Sequence, residues 1–389
     1  MIVEGIGLGV GLVALLGWIG LERPYRGRLG NTLQVSTRQW KFDLDQPHHY
    51  RIQGELTLAN PLGHLEVMVP ELEADVKLLS KDSLANVECT IRVTPQHPDA
   101  PARSDNYWFA YIVKKRQQTT ASIEIDIKGA DLSALKVAWV QIRYVTYGPQ
   151  GRIPRMYHEV LPLSYPEPNA ALRWRSTQTA EVLPIPTHLL TRLDSCVDMV
   201  KRYVLPHAQP NDIVTIGETP VAIMQGRYRH PASIRPGWLA QRLCYFFLPT
   251  SSLATACGLQ TLVDVVGPWR VFGAFVGGAV LKVLGQPGGF YQLAGEQARL
   301  IDDVTGTLPP YDQFVVLGPD NAQAVVDEIK AQTGLSAAIV DVNDLKAVKV
   351  LAASQGVSLA TLEEALRNNP AGNADEQTPV VLVRPRSQA

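Results

Sequence analysis

The stretch that decides the fold is residues 183–227, which read LPIPTHLLTRLDSCVDMVKRYVLPHAQPNDIVTIGETPVAIMQGR. The opening Leu-Pro-Ile predicts a short strand, and the spacing of apolar residues then predicts an amphipathic helix near residues 191–204. A turn at residues 209–212 leads to a second strand at residues 213–216. The predicted helix places four apolar residues on one face, namely Leu193, Val197, Val200 and Val204. This stretch therefore begins a domain that mixes strands and helices.

The chain before this stretch has a different pattern. From residue 33 to residue 165, polar and apolar residues alternate with a period of two, as in YRIQGELTLA (residues 50–59) and VECTIRV (residues 87–93). Asn60-Pro61, Gly129 and Gly148-Pro149 mark turns between such runs. Several short strands at this spacing predict an all-β sandwich domain at 33–165. Its opening resembles the sandwich domains of the late-embryogenesis-abundant family, and residues 166–182, polar and rich in proline, are predicted to be a linker.

An uncharged run, GIGLGVGLVALLGWIGL, occupies residues 5–21 at the N-terminus. As a helix it spans about 26 Å, close to the hydrocarbon thickness of a bilayer. Arginines at positions 23, 26 and 28 follow it, and the positive-inside rule keeps such a flank cytoplasmic. The sequence therefore predicts a single-pass transmembrane anchor at 1–30, with the bulk of the chain on the cytoplasmic side. A glycine-rich helix packed on the protein is the alternative.

Composition excludes some functions and leaves others open. The chain has 389 residues and a formal net charge of −1, so no overall field attracts it to nucleic acid, and we expect no nucleic-acid partner. Four cysteines without a CxxC pair argue against a zinc ribbon and against a disulfide framework. No histidine follows His230, which excludes histidine-based catalysis in the rest of the chain.

Residues 183–384 resemble the coenzyme F420-0:L-glutamate ligase (gamma-glutamyl ligase) family. In that family a Leu-Pro-Ile-type strand, a helix, a turn with a strand and a closing Gly-Arg recur in this order. Further along, Ala298–Asp303 precedes Gln313–Asp320, and a strand at residues 337–340 ends in Asp341-Val342-Asn343. The resemblance implies an α/β ligase-like domain at 183–389 and a homodimer. The whole chain is then α+β: a transmembrane helix, a sandwich and this domain.

The resemblance also implies a site and a reaction. Nucleotide, GTP in the family, phosphorylates a carboxylate, and the amine of glutamate then displaces the acyl phosphate. Asp341 and Arg227 become the candidate catalytic residues, and Asp375 and Glu376 are weaker ones. Six residues are the cofactor-binding candidates: Leu183, Pro184, Ile185, Gln225, Gly226 and Arg227.

The metal ligands predicted for this site are Asp302, Asp341 and Asn343. An aspartate at the carboxyl end of a strand projects into the crevice where α/β sheets bind ligands. Oxygen ligands of this kind suit Mg²⁺ or Mn²⁺ with bound phosphates. An ordinary polar turn at residues 341–344 is the alternative, since Asp and Asn favour turns.

The chain departs from the family pattern in places that bear on activity. Residues 217–224 contain no lysine where family members carry nucleotide-binding lysines, which leaves open a non-catalytic membrane assembly factor or scaffold. An apolar insertion at 228–299 separates the two matching blocks and carries six Arg or Lys against two Asp or Glu. Basic and aromatic residues together favour an interfacial contact with anionic lipid, and a protein partner or an ordinary core is the alternative. Within it, residues 237–248 are the better interfacial candidate, and residues 271–281 suit helix packing through glycine.

Overall fold

The structure of the chain is a computed structural model that describes residues 13–20, 22, 31–167, 171–303, 308–342, 347–372 and 377–386. The chain divides into two compact units. The first comprises residues 1–76, 87–130 and 141–159, and the second comprises residues 77–86, 131–140 and 160–389. The domain limits predicted at 33–165, 166–182 and 183–389 stay a prediction.

The N-terminal part of the chain is β-sandwich-like, as its alternating sequence predicts. Its strands form two four-stranded sheets, ordered β1-β2-β6-β4 and β5-β3-β7-β8. Strand β6 shows why, because its residues alternate along the strand and Ala121, Ile123, Ile125 and Ile127 are all fully buried. The strands are β1 (Gln34–Gln46), β2 (His49–Ala59), β3 (Val67–Ser80), β4 (Val87–Gln96), β5 (Tyr111–Val113), β6 (Gln118–Gly129), β7 (Leu135–Gly148) and β8 (Gly151–Pro162).

A mixed six-stranded sheet with the order β16-β15-β11-β17-β10-β9 organises the second unit. Strands β11 and β15 pair in parallel, and the other described pairs in this sheet are antiparallel. A smaller sheet has the order β12-β14-β13. The strands are β9 (Arg175–Ser176), β10 (Ala180–Ile185), β11 (Ile213–Gly217), β12 (Tyr228–Arg229), β13 (Asp302–Asp303), β14 (Val315–Val316), β15 (Ser336–Val342), β16 (Val348–Ala353) and β17 (Val380–Pro385).

The second unit mixes helices with these strands, and the predicted α/β ligase domain stays a prediction beyond that mixture. Strand β9 and the start of β10 fall within the stretch predicted as a linker. The helices of the second unit are α1 (Cys196–Met199), α2 (Glu218–Met224), α3 (Trp238–Leu243), α4 (Ala256–Val266), α5 (Pro268–Val283), α6 (Gly289–Ala294), α7 (Gln297–Leu300), α8 (Ala322–Thr333) and α9 (Leu359–Leu366).

The amphipathic helix predicted at 191–204 begins later than its spacing indicates. The Asp194 carboxylate accepts hydrogen bonds from the Thr191 backbone N–H at 2.8 Å and from its hydroxyl at 3.2 Å. These local bonds hold a turn in place of the first helical residues. Helix α1 then starts after Ser195, whose hydroxyl accepts from the Asp198 N–H, and a π-helical turn continues it over Val200–Val204. Leu193 is consequently 41% exposed rather than part of the buried face.

Within the N-terminal run, residues 13–20 are helical and carry exposed apolar side chains. The remainder of the span predicted at 5–21 lies outside the described residues. In the part of the chain that the structure describes, no single helix is both long and apolar enough to cross a bilayer. Helices α4 and α5, with a bend of 113° between them, are long and apolar enough for a membrane span only when they are counted as one segment.

A buried ion pair ties the last strand of the second unit to the turn before β11. The Asp212 carboxylate, 1% exposed, accepts from Arg384 Nε at 2.9 Å and from Nη2 at 2.8 Å. It also accepts from the Gln209 backbone N–H at 2.8 Å. Replacing Asp212 therefore removes the acceptor of both the Arg384 guanidinium and the Gln209 backbone N–H.

We expect Asp212→Ala to lower the free energy of unfolding by about 2 kcal/mol, because it removes the acceptor of a turn N–H and of a guanidinium that is only 25% exposed. Urea denaturation followed by circular dichroism measures the change. The exposed helix residue Glu363, changed to Ala, is the control and should stay within about 0.5 kcal/mol of the parent. An equally small effect of Asp212→Ala would show that the pair contributes little.

Candidate functional site

Two neighbouring parallel strands bring acidic side chains to one edge of the six-stranded sheet. Strands β11 and β15 run in register, with Gly217 opposite Val340 as their last pair. The residue after each member of this pair is acidic: Glu218 begins helix α2 directly after β11, and Asp341 is the next residue of β15. Because the carboxyl ends of adjacent parallel strands meet at the same edge, these carboxyl groups are neighbours. We call Glu218, Asp302 and Asp341 the acidic cluster.

The pKa values show that the three carboxyl groups of the acidic cluster share one electrostatic environment. Burial raises the pKa of Glu218 to about 9, and the charges of Asp341 and Asp302 add to the shift. Burial together with the charge of Asp341 raises the pKa of Asp302 to about 6. Burial also raises the pKa of Asp341, while the ammonium group of Lys349 lowers it. Burial, which disfavours the ionised form, explains the common direction, and repulsion between like charges adds to it at Glu218 and Asp302.

Glu218 is the least satisfied member of the acidic cluster. Among the described residues, none donates a hydrogen bond to its buried Oε2 atom. Lys349 lies opposite Asp341 across the β15–β16 pair, and its Nζ atom also contacts Glu296 Oε1 at 2.8 Å. One ammonium group thus serves several carboxylates. A cluster with more negative charge than local cations is suited to receive a further cation.

The donors of the acidic cluster match the chemistry of Mg²⁺ or Mn²⁺, which prefer carboxylate oxygens. The orphaned oxygen of Glu218 is the observation that supports this fit. Within the described residues, no three His, Cys, Asp or Glu side chains are arranged closely enough to hold a metal ion. Asn343, the third predicted ligand, lies outside the described residues, as do Asp375 and Glu376.

Gln225, Gly226 and Arg227 follow helix α2 and face the loop before helix α8. Gln225 exchanges two hydrogen bonds with the Asp320 backbone, donating to its carbonyl at 2.8 Å and accepting from its N–H at 2.7 Å. Gly226 has a φ of 69°, a conformation that glycine adopts without strain. Gln225 and Arg227 line a cavity of about 410 Å³ with Asp320 and Glu328. Two of the six predicted cofactor-binding residues, Gln225 and Arg227, therefore line the same cavity.

The guanidinium group of Arg227 has a fixed orientation at that cavity. Its Nε donates to the Gly318 carbonyl at 2.7 Å, and Nη2 donates to Gln297 Oε1 at 3.5 Å. Asp341 is not among the residues that line the cavity. The two candidate catalytic residues thus belong to two separate features of the second unit.

Leu183, Pro184 and Ile185 lie within strand β10, between β17 and β9. The side chains of Leu183 and Ile185 are 1% and 2% exposed and belong to the core beneath the sheet. Pro184 alone of the three is half-buried. Their contribution to cofactor binding stays a prediction.

The comparison with protein families concerns the N-terminal strands. Residues 34–165 match the family model for the F420-0:gamma-glutamyl ligase, N-terminal Ig-like domain. This match covers about a third of the chain and supports the resemblance to that ligase family. The sandwich at these residues is thus similar to an Ig-like domain, and the likeness to late-embryogenesis-abundant proteins is superseded. The match does not extend to the residues that carry the acidic cluster.

No curated protein matches the chain. Among solved structures, the GAE domain of yeast GGA1 has a TM-score of 0.20 and 10% identity, covering 34% of this chain and 96% of that domain. A family 123 glycoside hydrolase from Clostridium perfringens has a TM-score of 0.19 and 15% identity, covering 35% of this chain and 29% of the enzyme. Likenesses this weak support no argument about fold or function.

Glu218 is the site residue that sequence reasoning missed. From the sequence alone, residues 217–224 are notable only because they contain no lysine, and Glu218 is not among the predicted site residues. The signal was present, because Glu218 directly follows a buried strand in the same way that Asp341 does. Recognising it required knowing that these two strands are parallel neighbours, which spacing along the chain does not reveal.

We expect Glu218→Gln to make the protein less sensitive to pH. The parent pKa rises from 4.5 to about 9 on folding, so the native state binds one more proton between these pH values. The free energy of unfolding therefore falls as the pH rises through this range, by up to about 1.4 kcal/mol per pH unit from this group. The variant should lose that slope and be more stable than the parent at pH 8.

Urea denaturation at several pH values between 5 and 9 measures both slopes. Glu363→Gln, an exposed change of the same type on helix α9, is the matched control and should retain the parent slope. If the free energy of unfolding changes with pH by the same amount in Glu218→Gln and in the parent, the surroundings of Glu218 do not hold its carboxyl group protonated.

Proposed function

We propose that this protein is a membrane-associated amide ligase of the gamma-glutamyl ligase type, which joins glutamate to a carboxylate acceptor using a divalent cation and GTP. The observation that carries the proposal is the acidic cluster at the ends of two parallel strands. Its carboxyl groups have raised pKa values, and one buried oxygen has no donor among the described residues. Perturbed carboxyl groups of this kind are typical of functional sites. The match of residues 34–165 supports the same family.

The proposed reaction has two balanced steps. An oxygen of the acceptor carboxylate attacks the γ-phosphorus of GTP, which forms an acyl phosphate and releases GDP. The amine of glutamate then attacks the acyl carbon, so that a C–N bond forms, the C–O bond breaks and phosphate leaves. Glutamate's surplus ammonium protons pass to solvent.

The residues of this chain have distinct roles in the proposal. Asp302 and Asp341, with Asn343, would be the ligands of Mg²⁺ or Mn²⁺, which would supply positive charge for the phosphates of the nucleotide. Because no three acidic side chains among the described residues are close enough to hold an ion, the proposal requires oxygens of the nucleotide to complete the site, and Glu218 would respond to the ion through its charge. Arg227, fixed by Gly318 and Gln297, would present its remaining N–H groups to a phosphate or a carboxylate. A homodimer is part of the same proposal.

The second candidate function is a non-catalytic membrane scaffold. The observation that favours it is the sequence GETPVAIM at residues 217–224, which forms helix α2 and offers no lysine to a nucleotide. A lost cation at a phosphate site removes a charge-assisted contact of about 1.5–3 kcal/mol. In this case the two units serve as interaction surfaces.

Titration of the full chain with GTP and Mn²⁺ separates the two candidates. If the ligase proposal holds, the melting temperature should rise only when GTP and Mn²⁺ are both present. At a ligand concentration of a hundred times Kd, binding adds about 2.7 kcal/mol to the free energy of unfolding. Asp341→Asn should abolish the rise, whereas Asp327→Asn on the exposed face of helix α8 should retain it. Mn²⁺ bound beside Glu218 should release about one proton near pH 8, since its positive charge lowers the pKa of that carboxyl group.

A melting temperature that neither ATP nor GTP changes, with or without Mn²⁺, would contradict the ligase proposal. Partner binding that survives in Asp341→Asn would then favour the scaffold. Proton release that is unchanged in Glu218→Gln would contradict the part assigned to Glu218 alone.

The membrane anchor belongs to this proposal as well. Residues 5–21 are uncharged, and the described part, residues 13–20, is helical with exposed apolar side chains. Three arginines follow and favour a cytoplasmic position for the rest of the chain. The sequence of residues 5–21 thus has the composition of a membrane span, and the apolar side chains of the described residues 13–20 are exposed.

We expect the full chain to remain in the membrane pellet after alkaline carbonate extraction. Leu15→Glu with Leu16→Glu should release it, because each charge near the centre of a span costs about 2.5–3.5 kcal/mol. Leu359→Glu with Tyr107→Glu adds the same charge at two exposed apolar positions elsewhere and is the control. Retention of the Leu15 and Leu16 variant would show that this segment is not the anchor.

A further inference from the structure

Helix α5 (Pro268–Val283) is apolar on both of its sides. Its inner face, formed by Val271, Ala274 and Gly278, is buried in the helical insertion. Its outer face carries an apolar stripe whose members recur every three or four residues. These are Trp269, Phe272, Val276, Val280 and Val283, all of them exposed, with Trp269 at 84% and Val283 at 88%. A surface helix of a water-soluble protein normally has a polar outer face, which this helix lacks.

The apolar stripe is continuous with a second group of exposed residues after helix α3. Tyr245, Phe246 and Leu248 are 85%, 73% and 75% exposed. The ring of Phe246 packs edge-on against that of Phe275 on helix α5, with centroids 5.2 Å apart. We call the apolar stripe together with these three residues the apolar face of the insertion. Scattered exposed side chains are ordinary, but a continuous face of this kind marks an interaction surface.

The inner packing of helix α5 holds the apolar face in place. A Cβ atom at Gly278 would lie 2.6 Å from the backbone nitrogen of Phe290, so helix α6 approaches here because glycine has no side chain. Phe290 in turn stacks edge-on with Phe247, with centroids 4.8 Å apart. The exposed side chains are thus carried on a packed scaffold.

Charge identifies what covers this face. Residues 265–295 contain no Asp or Glu, and their only charged residues are Arg270 and Lys282, near the two ends of helix α5. Arg242 lies exposed beside the aromatic group after helix α3. The insertion as a whole is basic, although the chain has a net charge of −1. A second copy of the same face would place like charges opposite each other, whereas anionic lipid headgroups complement them.

We propose that the apolar face of the insertion docks onto the surface of an anionic lipid bilayer, with helix α5 lying in the interface. The apolar stripe enters the boundary between headgroups and acyl chains, and Trp269 takes the interfacial position that tryptophan favours. Lys282 and Arg242 extend toward lipid phosphates. This contact is independent of the N-terminal anchor and of the proposed chemistry.

Tryptophan quenching by brominated lipid tests the docking in the full chain. Trp18→Phe is the background, so that the N-terminal segment carries no tryptophan reporter. Vesicles of brominated phosphatidylcholine with about 30% phosphatidylglycerol should quench the emission, and vesicles without phosphatidylglycerol should quench it less. Trp238, which begins helix α3 within the interfacial candidate 237–248, is 70% exposed and serves as a second reporter beside Trp269. Adding Trp238→Phe and Trp269→Phe should remove more than half of the quenching. Trp174→Phe, a half-buried residue of the same unit, is the matched control and should retain it.

The charge contribution is tested on the same background. Arg242→Gln with Lys282→Gln should reduce quenching in anionic vesicles to the level found in phosphatidylcholine alone. Equal quenching of the parent in both vesicle types would contradict the preference for anionic lipid.

Two results would overturn the docking itself. One is unquenched emission from Trp238 and Trp269 in protein that floats with the vesicles. The other result combines two observations: the protein is a dimer without lipid that Trp269→Glu converts to a monomer, and vesicles do not change the tryptophan emission. This result would make the apolar face an interface between two copies of the chain. Since none of these readouts involves nucleotide, cation or ligation, the docking can fail while the proposed function holds, and the reverse.

Discussion

The parallel pairing of β11 with β15 is the constraint on which the candidate site depends. It is the one described parallel pair in an otherwise antiparallel sheet, and its register places Gly217 beside Val340. A shift by one residue would turn every side chain of one strand to the other face and separate Glu218 from Asp341. The apolar residues Val214, Ile216 and Ile339, all fully buried, fix that register through the core. The position of the acidic cluster is therefore a consequence of packing.

That packing holds together carboxyl groups that disfavour each other when ionised. At neutral pH the cost is reduced because Glu218, with a pKa of about 9, retains its proton. The cluster costs stability in proportion to its charge, and natural proteins retain such costs mainly where they serve a function. The protonation states of the three carboxyl groups are therefore coupled.

The sequence predicted the sandwich strands well because alternation is a local property that each strand shows by itself. It placed the strands at 183–185 and 213–216 correctly for the same reason, since β10 and β11 contain them. It misplaced the start of helix α1, where bonds from the Asp194 side chain outweigh helical spacing. Nor does the local sequence indicate that His97 is 7% exposed and stacks on Tyr111. Burial of that kind depends on tertiary neighbours.

Charge distribution is a second property that also depends on tertiary structure and not on the sequence alone. A net charge of −1 suggests an electrically neutral chain, but the formal count includes Glu218 as an anion and averages over a basic insertion. The fold separates these contributions, because a carboxyl group buried beside other carboxyl groups keeps its proton, whereas Lys282 lies exposed on helix α5. The two charged residues within 265–295, Arg270 and Lys282, are both basic. Net charge excludes long-range attraction of the whole chain, and it leaves local recognition to be decided by which residues the fold exposes.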